Sequence, residues 1–143
     1  MNAQQAMLSL AQGIQLDVAD YDRLHGLLEQ QFAAALRHDV ARLPQLAEDI
    51  GALCTVLDAR RTERVTLVNA IVGMEVPEAQ RVAAVFARLP ERYRTAAETL
   101  WQNLQARVLA CKALNLRNGN LLMDQYEVMQ RVLGGESDTY APR

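Results

Sequence analysis

The chain is nearly without lysine: fourteen of its fifteen basic residues are arginine, and Lys112 stands alone. With acidic residues interspersed and a net charge of −2, no continuous basic strip is available to a nucleic-acid backbone. Aromatic residues make up only 5%, which argues against a β-sandwich or barrel, since strands draw on aromatic and β-branched side chains. There are two cysteines, Cys54 and Cys111, with no CxxC spacing. A zinc or redox motif is therefore missing, and two buried thiols in a reducing compartment are expected. The longest strongly apolar stretch free of charge, Val65 to Met74, has ten residues, whereas a membrane span needs about twenty. No basic segment precedes an apolar one at the start, so no signal peptide is expected. These absences together predict a soluble, cytoplasmic protein.

Chemistry is also lacking. A nucleophile elbow, a glycine-rich phosphate loop and an HExxH pair are all absent. Asp22 and His25 have a spacing found in helical metal ligands, but a carboxylate-bridged bundle needs two such pairs and further inward acids. Glu48 and Asp49 are adjacent and point apart on a helix, so they do not form an acid/base pair. The expectation is a protein that is not an enzyme and has no catalytic residues, metal or cofactor.

What the chain has is alanine (22) and leucine (21), both good helix formers. Met1 to Leu16, uncharged and rich in Gln and Ala, reads as a loosely ordered helical start, weakened by Gly13. A clear helix is predicted from Asp17, with Asp17, Asp20 and Asp22 in its first turns, where negative charge suits the helix dipole. Its stripe is Tyr21, Leu24, Leu28, Phe32 and Leu36. A second helix starts near Pro44 and runs to about Val72 on a heptad seam of Leu43, Leu46, Ile50, Leu53 and Leu57. Arg60, Arg61 and Arg64 interrupt that seam and read as a solvated face. Gly73 ends the second helix, Pro77 opens a short third, and Pro90 heads a long fourth. Gly134 and Gly135 are expected to stop the fourth helix, leaving residues 134–143 as a flexible tail. The fold class is thus all-α: a single domain, 1–143, forming an elongated antiparallel helical bundle with two or three long helices and one short.

The fourth helix carries an anomaly. Asn115 and Asn118 stand at seam positions where Leu is expected, followed by Gly119. A buried Asn costs stability unless its amide is paired, and an interior glycine costs roughly 1 kcal/mol against alanine. Either the helix bends there, or a partner docks there.

The stretch "NLRNGNLL" resembles the Asn-x-x-Asn-Gly-x-Leu signature of FlgN-like flagellar export chaperones. The upstream hairpin is similar too, with Leu27, Leu28, Ala35, Leu36, Asp39, Leu46, Leu53 and Leu57 following the family's pattern, and so is the ending "VMQRVLGGESDTYAPR". The resemblance implies a cytoplasmic chaperone of the flagellar type III export system. Such a protein would hold the C-terminal helical segments of hook-filament junction proteins, keep them from associating early and hand them to the export gate, without nucleotide.

An amphipathic client helix needs an apolar strip. The candidates are Leu121, Leu122, Val128, Met129, Val132 and Leu133, with Asn115, Asn118 and Gly119 marking where the helix opens, and Tyr126 and Tyr140 as anchors for the client or the gate. Packing of the chain's own core is the competing account for Leu122, Met129 and Val132, which lie on the seam. On this reading Asn118→Leu or Gly119→Ala stabilises the free protein and weakens client binding. The alternative function is a self-associating structural bundle, without a client, that pairs through the second helix's heptad seam.

Overall fold

In the computed structural model, the backbone is described for residues 2–140 and side chains for residues 2–134. The chain forms α1 (Ala3–Leu36), α2 (Leu43–Val72), a 3₁₀ turn (Glu78–Gln80), α3 (Arg81–Ala87) and α4 (Glu91–Tyr140). It is an all-α bundle, and no strand occurs among the described residues.

α1 begins fourteen residues before the predicted start at Asp17. A capping box sets its end: Asn2 Oδ1 accepts from the Gln5 backbone N–H at 2.8 Å, and Gln5 Oε1 accepts from the Asn2 N–H at 3.1 Å. Residues 3–16 were expected to be loosely ordered. Instead Ala6, Leu10 and Ile14, spaced by four, carry the buried stripe of α1 back to its first turn. Packing of these side chains outweighs the weak propensity of the stretch around Gly13.

At the other end of α1, His38 takes a left-handed conformation (φ 53°), and the Asp39 N–H returns to the Ala34 carbonyl at 2.9 Å. Pro44 lies in the first turn of α2, where its missing N–H costs nothing. Gly73, with φ 80°, ends α2, a backbone conformation that disfavours a side chain. Below it, arginines satisfy carbonyls that the short elements leave open. Arg88 donates to Ile71 O, Arg94 to Ala87 O and Leu89 O, and Arg81 to Val76 O.

α2 runs antiparallel to α1, and α4 returns parallel to it. The parallel register repeats every seven residues. Cys111 Sγ faces Tyr21 O at 3.5 Å, Asn118 Nδ2 donates to Leu28 O at 2.7 Å, and Gln125 Nε2 donates to Ala35 O at 2.9 Å. A lower core joins Leu10, Ile14, Val68, Val85, Phe86 and Leu104, and α3 closes it from below. An upper core joins Leu24, Leu28, Leu53, Leu57 and Cys111. Each fully buried leucine contributes about 2 kcal/mol.

Leu46, Leu53 and Leu57 of the α2 seam are all buried in the bundle. The surface that the alternative reading offered for self-association is therefore spent inside the molecule. The glycine pair does not end α4, whose backbone stays helical to Tyr140. The remainder of the expected tail lies outside the described residues.

Candidate functional site

The Asn115–Gly119 stretch sits in an unbroken helix, with no bend into a separate segment. Asn118 is 1% exposed, and its amide is fully used. Nδ2 donates to Leu28 O at 2.7 Å and to Gln31 Oε1 at 2.9 Å. Oδ1 accepts from Arg117 Nε at 3.2 Å and Nη2 at 3.1 Å. The same guanidinium reaches Glu29 at 2.8 Å and lies 3.7 Å over the Phe32 ring. Asn118 thus locks α4 to α1. The expectation that the helix opens at this point gives way to a clasp, because every donor and acceptor on the amide has a partner in the chain.

Asn115, by contrast, is exposed, and so is Gly119, where an added Cβ would meet nothing within 4 Å. Leu121 and Leu122 are half-buried against the bundle. The last tie to α1 is Gln125, which satisfies one of the orphan carbonyls at α1's end. Beyond it α1 has stopped, and every residue from Tyr126 to Gly134 is exposed. Fifteen helical residues, 126–140, extend about 22 Å past that tie.

This extension keeps the seam of the body without its cover. Counting by sevens along the buried positions Leu104, Cys111 and Asn118 leads through Gln125 to Val132, and Val128 and Met129 flank the same line. Val132 is 57% exposed, Met129 58% and Val128 50%. Tyr126 and Leu133 are exposed one position round the helix. The core-packing account of Met129 and Val132 therefore fails, while Leu122 is partly covered. Tyr140 has its side chain outside the described residues.

Of the arginines read from sequence as a solvated face, Arg61 is exposed and pairs with Asp58 at 3.1 Å, whereas Arg60 and Arg64 are largely covered around a buried acid. Asp17, with a side chain 1% exposed, accepts from Arg60 Nη1 at 2.7 Å and from Arg64 Nη1 at 2.6 Å. Arg60 also reaches Asp20 at 2.6 Å, and Arg64 lies 5.6 Å over Trp101. The hydrogen bond to Asp17 is the main cause holding the Arg60 guanidinium above its ordinary pKa. Asp17 and Asp20 are mid-helix, far from the dipole of α1's first turn. They face the interruption in the α2 seam, and the coincidence of acids on one stripe with arginines on the other was the available signal.

Asp22 pairs with Arg107 at 2.8 Å, and His25 is exposed, so the structure does not bring them together as a ligand set. Cys111 is buried as expected, whereas Cys54 is exposed, and both are free. Burial pushes both thiols up in pKa. Among the described residues no helix is long and apolar enough to cross a membrane, and no cluster of three metal-binding side chains occurs.

α2 and α4 each lie on α1 and scarcely on each other. This leaves a groove of about 710 Å³ between them, floored by Tyr21 and Leu24 and walled by Leu57, Val65, Trp101 and Val108.

The described residues form an all-α bundle whose last helix carries its packing seam beyond the body. The family model described as FlgN protein matches residues 6–134, and the chain belongs to the FlgN family. This places it generally among flagellar export chaperones, with flagellar proteins as partners. No curated protein and no solved structure is similar enough to match it.

Proposed function

We propose that the protein is a cytoplasmic type III export chaperone that holds the C-terminal helical segments of hook-filament junction proteins. The client helix lies on the α4 extension, prevented from premature association, and is then delivered to the export gate. One observation carries this reading: the seam that α4 packs on α1 continues past the end of α1 with Val128, Met129 and Val132 uncovered. A client helix of about three to four turns takes the place that a longer α1 would fill, with its own apolar residues at three- and four-residue spacing. The flexible thioether of Met129 suits a surface that accepts more than one sequence. Leu121 and Leu122 join the lower edge of the strip, while Tyr126 and Leu133 broaden it. Tyr140 remains a proposed anchor for client or gate.

The role of Asn118 in this reading is to hold α4 on α1 in one register, so that the binding segment begins beyond Gln125, where α1 ends. Asn115 and Gly119 lie on the exposed side of α4 and make no contact that assigns them to the client.

The test is calorimetric titration of the full chain with C-terminal peptides of the junction subunits. Met129→Asp and Val132→Asp should each weaken binding at least about tenfold by placing a charge in the buried strip. Thermal unfolding of the free variants should be unchanged, because both side chains are exposed there. Binding that survives both substitutions removes the extension from the client site.

A further inference from the structure

The opposite face of α4, turned away from α1, carries a second apolar stripe. Leu109, Leu116 and Met123 recur every seven residues and are 66%, 65% and 59% exposed. Ala106, Ala113 and Gly119 lie beside them, all exposed. From Gln102 to Met123 the only charge on this face is Lys112. Scattered exposed leucines need no explanation, but three in heptad register with small neighbours form a helix-packing face. Nothing inside the chain accounts for Gly119, which has ordinary helical backbone and open space around it.

We propose that this face is the interface of a homodimer in which two α4 helices pack antiparallel about a two-fold axis between Gly119 and Asn120. The face is self-complementary in that register, as an isologous interface requires. Leu116 meets Met123 of the partner subunit. Gly119 meets Asn120 of the partner subunit, where the missing side chain lets the backbones approach. Lys112 meets Glu127 of the partner subunit at the same level, an opposite charge close to the stripe, whereas Asp124 lies on its flank.

Charge selects this register over its neighbours. A slip of one heptad sets Lys112 opposite Asn120 or Gly134 and leaves both charges unpaired. A parallel pairing sets Lys112 against Lys112 and Glu127 against Glu127, and like charges across a helix pair repel. The contact spans residues 109–130, about 32 Å of helix. It leaves Val128, Met129 and Val132, together with Tyr126 and Leu133, outside the contact, so the dimer does not depend on the client reading.

Sedimentation velocity on the full chain tests the proposal, and a concentration-dependent dimer is expected. Lys112→Glu or Glu127→Lys alone should weaken it about tenfold, and the double exchange should restore it to within about threefold. All these positions are exposed, so the fold is not at risk. Carbodiimide should join Lys112 to Glu127. The two lie about 22 Å apart along one helix, so this link forms only between chains. A chain that stays monomeric, a dimer insensitive to both charge reversals, or cross-links from Lys112 that avoid Glu127 would overturn the proposal. Pairing through Leu116 that appears only with a junction peptide would overturn it in favour of that partner.

Discussion

Asn118 on α4 donates its amide to the main-chain oxygen of Leu28, 2.7 Å away on α1, in the most buried part of their contact. A polar side chain in an apolar seam is tolerated there because all its hydrogen-bonding capacity is met, by Leu28, Gln31 and Arg117. The pairing holds the two helices in one register, since a slip would strand the amide without partners.

Asn118→Leu is consequently expected to destabilise the protein, reversing the expectation drawn from sequence. The substitution leaves the Gln31 amide and the Arg117 guanidinium short of a partner, costing about 1–3 kcal/mol. Urea unfolding of the variant checks this, and a rise in the midpoint contradicts the clasp.

Gly119→Ala keeps its expected sign. The position is exposed, helical and unobstructed, so alanine gains about 0.5–1 kcal/mol of stability in the isolated chain. Comparing unfolding midpoints at low protein concentration separates this gain from any change in self-association.

Asp17→Ala should be the most damaging of these surface-to-core polar changes. It leaves Arg60 and Arg64, only 21% and 14% exposed, without their shared counter-ion. The expected loss is about 3 kcal/mol, measured by thermal or urea unfolding. A loss below about 0.5 kcal/mol places the cluster with solvent-screened pairs instead.

Stability should decline on the alkaline side. Burial, with the Asp22 charge adding to it, raises the Cys111 thiol above its ordinary 9.0, and burial followed by the Asp17 charge raises Tyr21 above 10.0. Both groups ionise more easily in the unfolded chain. Their contribution is intact below about pH 9 and is lost as pH rises through the folded-state values. A urea midpoint that stays flat from neutral pH to about pH 11 contradicts this.

The two thiols should also differ in rate. Cys54 is exposed and should react with a thiol reagent in the native state, whereas Cys111 should react only on opening of the α1–α4 seam. Equal native-state rates contradict the packing of Cys111 against Tyr21.

The sequence by itself determined that the chain is helical and where its turns fall, because those signals are local. Pro44, Gly73, Pro77 and Pro90 set backbone limits that no tertiary contact overrides, and the starts and stops at these residues match the structure. The Asn-Gly stretch likewise carried the family resemblance in residue order alone. Tertiary structure decided the rest, because burial depends on which helix lies opposite and where it ends. The first turns of α1 look weak until Leu10 and Ile14 meet Phe86 and Leu104. Arg60 and Arg64 look solvated until Asp17 faces them across 43 and 47 residues of chain. One seven-residue pattern runs from Leu104 to Val132, yet it is core at one end and open surface at the other. The spacing is the same throughout, and only the length of α1 settles where cover gives out.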